Sequence, residues 1–222
     1  APSVGMVETD VRRCGSGELV IFHDDTLDRV TDATGEVAST PMDVLEDVSV
    51  LGSGESIPQV ADVFESLPED VGVNLELKGR DVATETVAVA DEYDHEVIVS
   101  SFYPDDVAAA RDAGAGTVAH LFYADEPADF DVEAALDVAA DLDCEYVHPD
   151  VGICLGTEIV SEARGRGVGV NAWTAGTESE ILELLERGVD GVVIDDCRFA
   201  ATCRSGRRLR ELDHENPGEP QG

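Results

Sequence analysis

Along most of its length this chain alternates short β-rich runs with amphipathic stretches of helical period. That alternation restricts its possible folds more than any other feature. The β-rich runs are Val4 to Val11, Leu19 to His23, Val71 to Leu77, Glu96 to Phe102, Thr117 to Phe122, Tyr146 to His148, Gly167 to Thr174 and Val189 to Asp195. Helices are expected over Pro58 to Leu67, Val82 to Tyr93, Pro104 to Ala113, Val132 to Leu142, Glu158 to Arg166 and Glu178 to Arg187. The last of these carries its own start and stop. Thr177 and Glu180 have capping-box spacing, Ile181, Leu182, Leu184 and Leu185 form an apolar face, and Gly188 ends it. Strands joined through helices run parallel, so the chain reads as a doubly wound sheet or a (β/α)8 barrel. Periodicity leaves both open, but no G-x-G-x-x-G or P-loop pattern opens a helix, which weakens a nucleotide-binding sheet.

With 222 residues the chain can bury one sizeable core, as one domain or at most two. Its charge is unusual: 49 acidic residues against 14 Lys and Arg, a net −35, spread along the whole length. Such a surface repels itself at low ionic strength, and at about 1 M salt the Debye length falls to roughly 3 Å and screens that repulsion. The composition therefore points to a salt-adapted protein. It argues against nucleic acid and against stable membrane association, since phosphate surfaces call for clustered cations. No apolar run is long enough to span a bilayer, and the start Ala1-Pro2-Ser3-Val4 has no signal-peptide pattern. Cys14, Cys144, Cys154, Cys197 and Cys203 show no zinc or C-x-x-C spacing and suit thiols in a reducing, cytoplasmic compartment. From Arg198 the character changes to a basic segment and then a Pro/Gly-rich end. Residues 1–197 are read as the folded domain, and 198–222 as a partly disordered tail.

Three short runs carry candidate chemistry. In Val7-Glu8-Thr9-Asp10 the two acids share one face of a strand, where a hard divalent cation would relieve their repulsion. In a chain this acidic, an acid at i+2 arises by chance about one time in five. His23 ends an apolar strand, a suitable place for a side chain that passes protons near neutral pH, although a histidine there is often structural. In Leu75-Glu76-Leu77-Lys78 the carboxylate and the ammonium share a face, as a metal ligand and a phosphate contact or as a simple ion pair. Lys78 is the only lysine and Trp173 the only tryptophan.

Taken in order, these runs resemble the glycerophosphodiester phosphodiesterase family. The matching pattern is E-x-D at Glu8 and Asp10, H-D-x-T-L-D-R-x-T at His23 to Thr31, and I-P-x-x-x-x-V-F at Ile57 to Phe64. It continues with L-E-L-K at Leu75 to Lys78, S-S-F at Ser100 to Phe102, H-P at His148, W-T at Trp173 and G-V-D-G-V-V-I-D at Gly188 to Asp195. The resemblance implies a (β/α)8 (TIM) barrel whose site lies at the C-terminal strand ends. It implies that Glu8, Asp10 and Glu76 ligate one divalent cation, Mg²⁺ or Ca²⁺, and that His23 is one of two catalytic histidines. Lys78 would contact phosphate and Trp173 would shape the alcohol pocket. The substrate would be a small glycerophosphodiester, cleaved to glycerol phosphate and an alcohol in lipid or glycerol metabolism.

The family also opens with a strand ending in H-R-G, followed by P-E-N-T, which would supply the second histidine, an arginine and a further carboxylate. Neither motif occurs in residues 1–222. Seven barrel strands are therefore expected, with the His23 strand additional to them, and the first βα unit is missing. Two expectations follow: a truncated enzyme of low activity, or a non-catalytic, vestigial or binding barrel.

Overall fold

A computed structural model describes residues 5–79 and 81–203. All eight β-rich runs form strands within two or three residues of the expected bounds, the last being trimmed to two residues. Contacts divide the chain into two units, one of Gly5–His120 with Leu142–Cys144 and one of the remainder.

In the first unit, strand β1 (Met6–Arg13) pairs antiparallel with β2 (Leu19–Ile21), register Val11 to Ile21 and Arg13 to Leu19. This hairpin extends β1 to Arg13, two residues past the expected end, because β2 supplies partners beyond the parallel pairing. Its turn is crowded. A Cβ on Gly15 would sit 2.7 Å from Ser39 C and 2.8 Å from Thr40 N, so only glycine fits. Helices α1 (Met42–Leu45) and α2 (Val60–Ser66) follow; α1 is a single turn with no readable period, and the sequence did not announce it. Strand β3 (Gly72–Leu77) then pairs parallel with β1, placing Glu8 opposite Asn74 and Asp10 opposite Glu76. Helix α3 (Ala83–Ala90), strand β4 (Val97–Ser101), helix α4 (Pro104–Asp112) and strand β5 (Val118–Phe122) repeat the parallel unit, with Glu76 opposite Ser100.

Between β1 and α2 the chain builds a small core of its own. Cys14, Val20, Phe22, Leu27, Val37, Met42, Leu45, Val48 and Ile57 pack together, with Val30, Ala33 and Val50 partly buried against them. At roughly 25 cal/mol per Å² of apolar surface, burying Phe22 and Leu27 anchors the chain on both sides of His23.

The second unit holds helix α5 (Val132–Asp141), strand β6 (Tyr146–Pro149), helices α6 (Val151–Gly156) and α7 (Ile159–Gly165), strand β7 (Gly169–Ala172), helix α8 (Glu178–Arg187) and strand β8 (Gly191–Val192). β6, β7 and β8 pair in parallel. Helix α6 was not expected; Asp150 starts it by accepting from the Gly152 and Ile153 amides at 2.9 and 3.1 Å. Helix α8 has the expected capping box between Thr177 and Glu180 and ends at Gly188, φ 94°. Among the described residues seven strands thus run parallel to a neighbour and β2 runs against β1, the expected count. The basic and Pro/Gly-rich segment from 204 onward lies outside the described residues.

Candidate active site

β1 and β3 bring the acidic residues together by register. Glu8 and Asp10 alternate along β1, Glu76 stands opposite Asp10 on β3, and paired residues of neighbouring strands project to the same face. One carboxylate oxygen from each of Glu8, Asp10 and Glu76 lies within 4.8 Å of the others. Lys78, two residues beyond Glu76, places Nζ 3.2 Å from Asp10 Oδ1 and in contact with Glu76 Oε1. The Phe102 ring centroid lies 5.7 Å from the same nitrogen, within cation–π range.

Glu76 is only 6% exposed. Burial pushes its carboxyl above the ordinary carboxylate value, and the Lys78 ammonium offsets this only in part. For Lys78 itself, burial acts downward, and the contacts with Glu76 and Asp10 reverse it, leaving the ammonium above its ordinary value. On the same face, Asn74 Oδ1 and Ser100 Oγ are buried without a protein hydrogen-bond partner. An all-oxygen donor set of three carboxylates, with further unsatisfied oxygens beside it, fits a hard divalent cation.

His23 sits just past the end of β2 with a side chain 63% exposed. Three residues that the sequence reading did not single out hold it. Arg12, on the same β1 face as Asp10, donates to the His23 carbonyl from Nε at 3.0 Å and Nη2 at 2.7 Å, and pairs with Asp25 at 2.5 Å. Asp24 Oδ1 lies 2.6 Å from His23 Nδ1. Arg29 clamps Asp24 at 2.5 and 2.9 Å, and with His23 it holds that carboxyl far below the usual carboxylate range. The signals were present: Arg12 continues the i+2 series from Glu8 and Asp10, while Asp24 and Arg29 lie inside the H-D-x-T-L-D-R-x-T run. Among the other described histidines, His95 and His120 bond through Nδ1 to the carbonyls of Val71 and Ser101.

Trp173 belongs to the second unit. It is half-buried, donates from Nε1 to the His148 carbonyl at 2.7 Å, and its ring centroid is 6.4 Å from that of Tyr123. The structure thus gathers Glu8, Asp10, Glu76 and Lys78 in one cluster of the first unit, which also holds His23 just past β2, while Trp173 belongs to the second unit.

The chain is similar to several known proteins. A glycerophosphodiester phosphodiesterase of Caldanaerobacter subterraneus is 26% identical over 207 residues, covering 86% of this chain and 82% of the relative. A solved structure from Agrobacterium tumefaciens superposes with a TM-score of 0.83 at 18% identity over 93% of this chain and 88% of that one. That likeness shows the (β/α)8-barrel phosphodiesterase fold. An Oleispira antarctica phosphodiesterase, solved with the product sn-glycerol-3-phosphate, is 27% identical over 93% of this chain and 86% of that one, with a TM-score of 0.78. The model of the glycerophosphoryl diester phosphodiesterase family matches residues 3–198. With a match of that span, the chain belongs to the glycerophosphoryl diester phosphodiesterase family of phosphoric diester hydrolases.

Proposed function

We propose that the chain takes part in divalent-metal-dependent hydrolysis of small glycerophosphodiesters to glycerol phosphate and an alcohol, in lipid or glycerol metabolism. The observation that carries this reading is the convergence of Glu8, Asp10 and Glu76 oxygens within 4.8 Å beside Lys78. Those three carboxylates would hold the cation, Mg²⁺ or Ca²⁺, which when bound supplies electrostatic stabilisation of charge developing on the phosphoryl oxygens.

The chain's own residues do the rest. Lys78 offers an ammonium to a non-bridging phosphate oxygen. His23 exchanges a proton with the attacking water or the leaving alcohol through Nε2, its other nitrogen being turned to Asp24. Trp173 is proposed to shape the pocket for the alcohol, as the family resemblance implies. Buried thiols at Cys14 and Cys154 and the strongly acidic composition support a reducing, salt-rich cytoplasm. No described helix is long and apolar enough to cross a membrane.

Residues 1–222 contain neither H-R-G nor P-E-N-T. Lacking one positioned acid–base group typically costs about 10²–10⁴-fold in rate. The test is release of glycerol phosphate from a glycerophosphodiester in molar KCl. It compares residues 1–222 with the same chain extended by a βα unit bearing H-R-G and P-E-N-T. Slow turnover by the first and robust turnover by the second are expected, both abolished by EDTA and by Asp10→Asn. No hydrolysis by either would sink the enzymatic reading and favour a non-catalytic binding barrel. Robust turnover by residues 1–222 alone would refute the need for a second histidine.

A further inference from the structure

The only lysine of the chain is paired with two of the carboxylates that a bound cation would use. Lys78 Nζ touches Asp10 and Glu76, two of the three carboxylates of the cluster. The Phe102 ring centroid lies 5.7 Å from the same nitrogen. A divalent ion takes carboxylate oxygens at roughly 2.0–2.6 Å. At such spacing an ammonium on the same carboxylates would face it with direct like-charge repulsion. Without any cation, however, Glu76 is buried and needs a positive partner. Every other permanently cationic side chain here is arginine. Lysine differs in carrying a compact point charge on a flexible four-carbon stem, able to swing between two anionic partners.

We propose that Lys78 is the resident counter-ion of the cation site: in the metal-free protein its ammonium bridges Asp10 and Glu76, and an entering divalent cation displaces it from those carboxylates, freeing it to meet an anionic substrate oxygen. The inference rests on the cation-site reading above and adds a coupling to it. Because each site change biases the other by the same factor, metal binding presents the lysine, and a lysine held outward tightens metal binding.

A sole lysine makes the test direct. In protein labelled with [¹⁵N]lysine, residues 1–222 give a single side-chain ammonium signal, followed by NMR during titration with MgCl₂. Calorimetry measures Mg²⁺ affinity for the parent, Lys78→Met, Lys78→Arg and Asp10→Asn. The ammonium signal is expected to be exchange-protected without metal and to shift and lose protection as Mg²⁺ binds. Lys78→Met is expected to bind Mg²⁺ about tenfold more tightly than the parent, near the low end of typical site–site coupling. Without metal it is also expected to melt at a lower temperature, a difference that vanishes at saturating Mg²⁺. Lys78→Arg, whose planar fork grips carboxylates and does not swing away as readily, is expected to bind Mg²⁺ more weakly than the parent. An ammonium signal that keeps its position and exchange rate while Mg²⁺ binds overturns the proposal, as does unchanged affinity in Lys78→Met. If Asp10→Asn binds Mg²⁺ as well as the parent, the cation site itself is misplaced. If Asp10→Asn loses binding and the lysine signal stays put in the parent, only the role given to Lys78 fails.

Discussion

The Nδ1 atom of His23 lies 2.6 Å from Oδ1 of Asp24, the next residue in the chain, and Asp24 is in turn gripped by Arg29 through both carboxylate oxygens. An adjacent pair rarely orients a ring by itself. Here the ring's backbone is also fixed, because the Arg12 guanidinium holds the His23 carbonyl and Phe22 is buried in the small core beneath. The imidazole is therefore exposed yet held, with Nε2 as the nitrogen available for proton exchange.

Replacing Asp24 with Asn keeps the shape but removes the charge that fixes the ring. In a chain with turnover, kcat is expected to fall roughly 10- to 100-fold with KM little changed, an orientation effect in the range of small misplacements. Steady-state kinetics of Asp24→Asn decides it, and a change confined to KM would show that Asp24 binds substrate instead.

Arg12→Met should act through the same histidine from the other side. Losing two hydrogen bonds to the His23 carbonyl frees the segment after β2, and a kcat loss similar to that of Asp24→Asn is expected. Because both changes act on one group, the double variant should lose much less than the product of the singles. Full multiplicative loss would place Arg12 in a different role.

His148 sets an acid limit on stability. Burial pushes its imidazole down to about 3, and the Asn171 side-chain amide lies 3.0 Å from Nε2, the partner a neutral ring accepts from. An unfolded histidine titrates near 6.5. Between about pH 3 and 6.5 the unfolded chain binds the extra proton, so stability contributed here falls as pH drops through that window and is flat above it. His148→Gln is expected to flatten this part of the pH dependence of Tm; an unchanged slope would show that other groups produce it.

Gly15→Ala inserts a methyl against the backbone of Ser39 and Thr40 with contacts under 3 Å. Neither neighbour is a flexible side chain, so the β1–β2 turn must shift, at a cost of about 1–3 kcal/mol. Chemical denaturation would show it, and Gly17→Ala, strained by φ 110° yet facing open space, separates crowding from backbone conformation.

With a net −35, the folded chain should gain stability as KCl rises from about 0.1 to 2 M, because screening relieves self-repulsion. Melting temperature against KCl at fixed pH measures this. A flat profile would mean the acids are already neutralised by local partners.

Element type and side-chain facing were determined by the sequence alone. The β-rich runs became strands and the periodic stretches became helices, since both patterns are local consequences of backbone repeat. Alternation also sufficed to put Glu8 with Asp10, and Glu76 with Lys78, on shared faces. The short helices α1 and α6 were missed because four or six residues carry no period. Only the tertiary structure decided that Asp10 stands opposite Glu76, that Lys78 closes on both, and that Arg12 reaches the His23 carbonyl. Strand register and these pairings join residues far apart in the chain. Their energies depend on how non-local segments pack, and no local repeat encodes that.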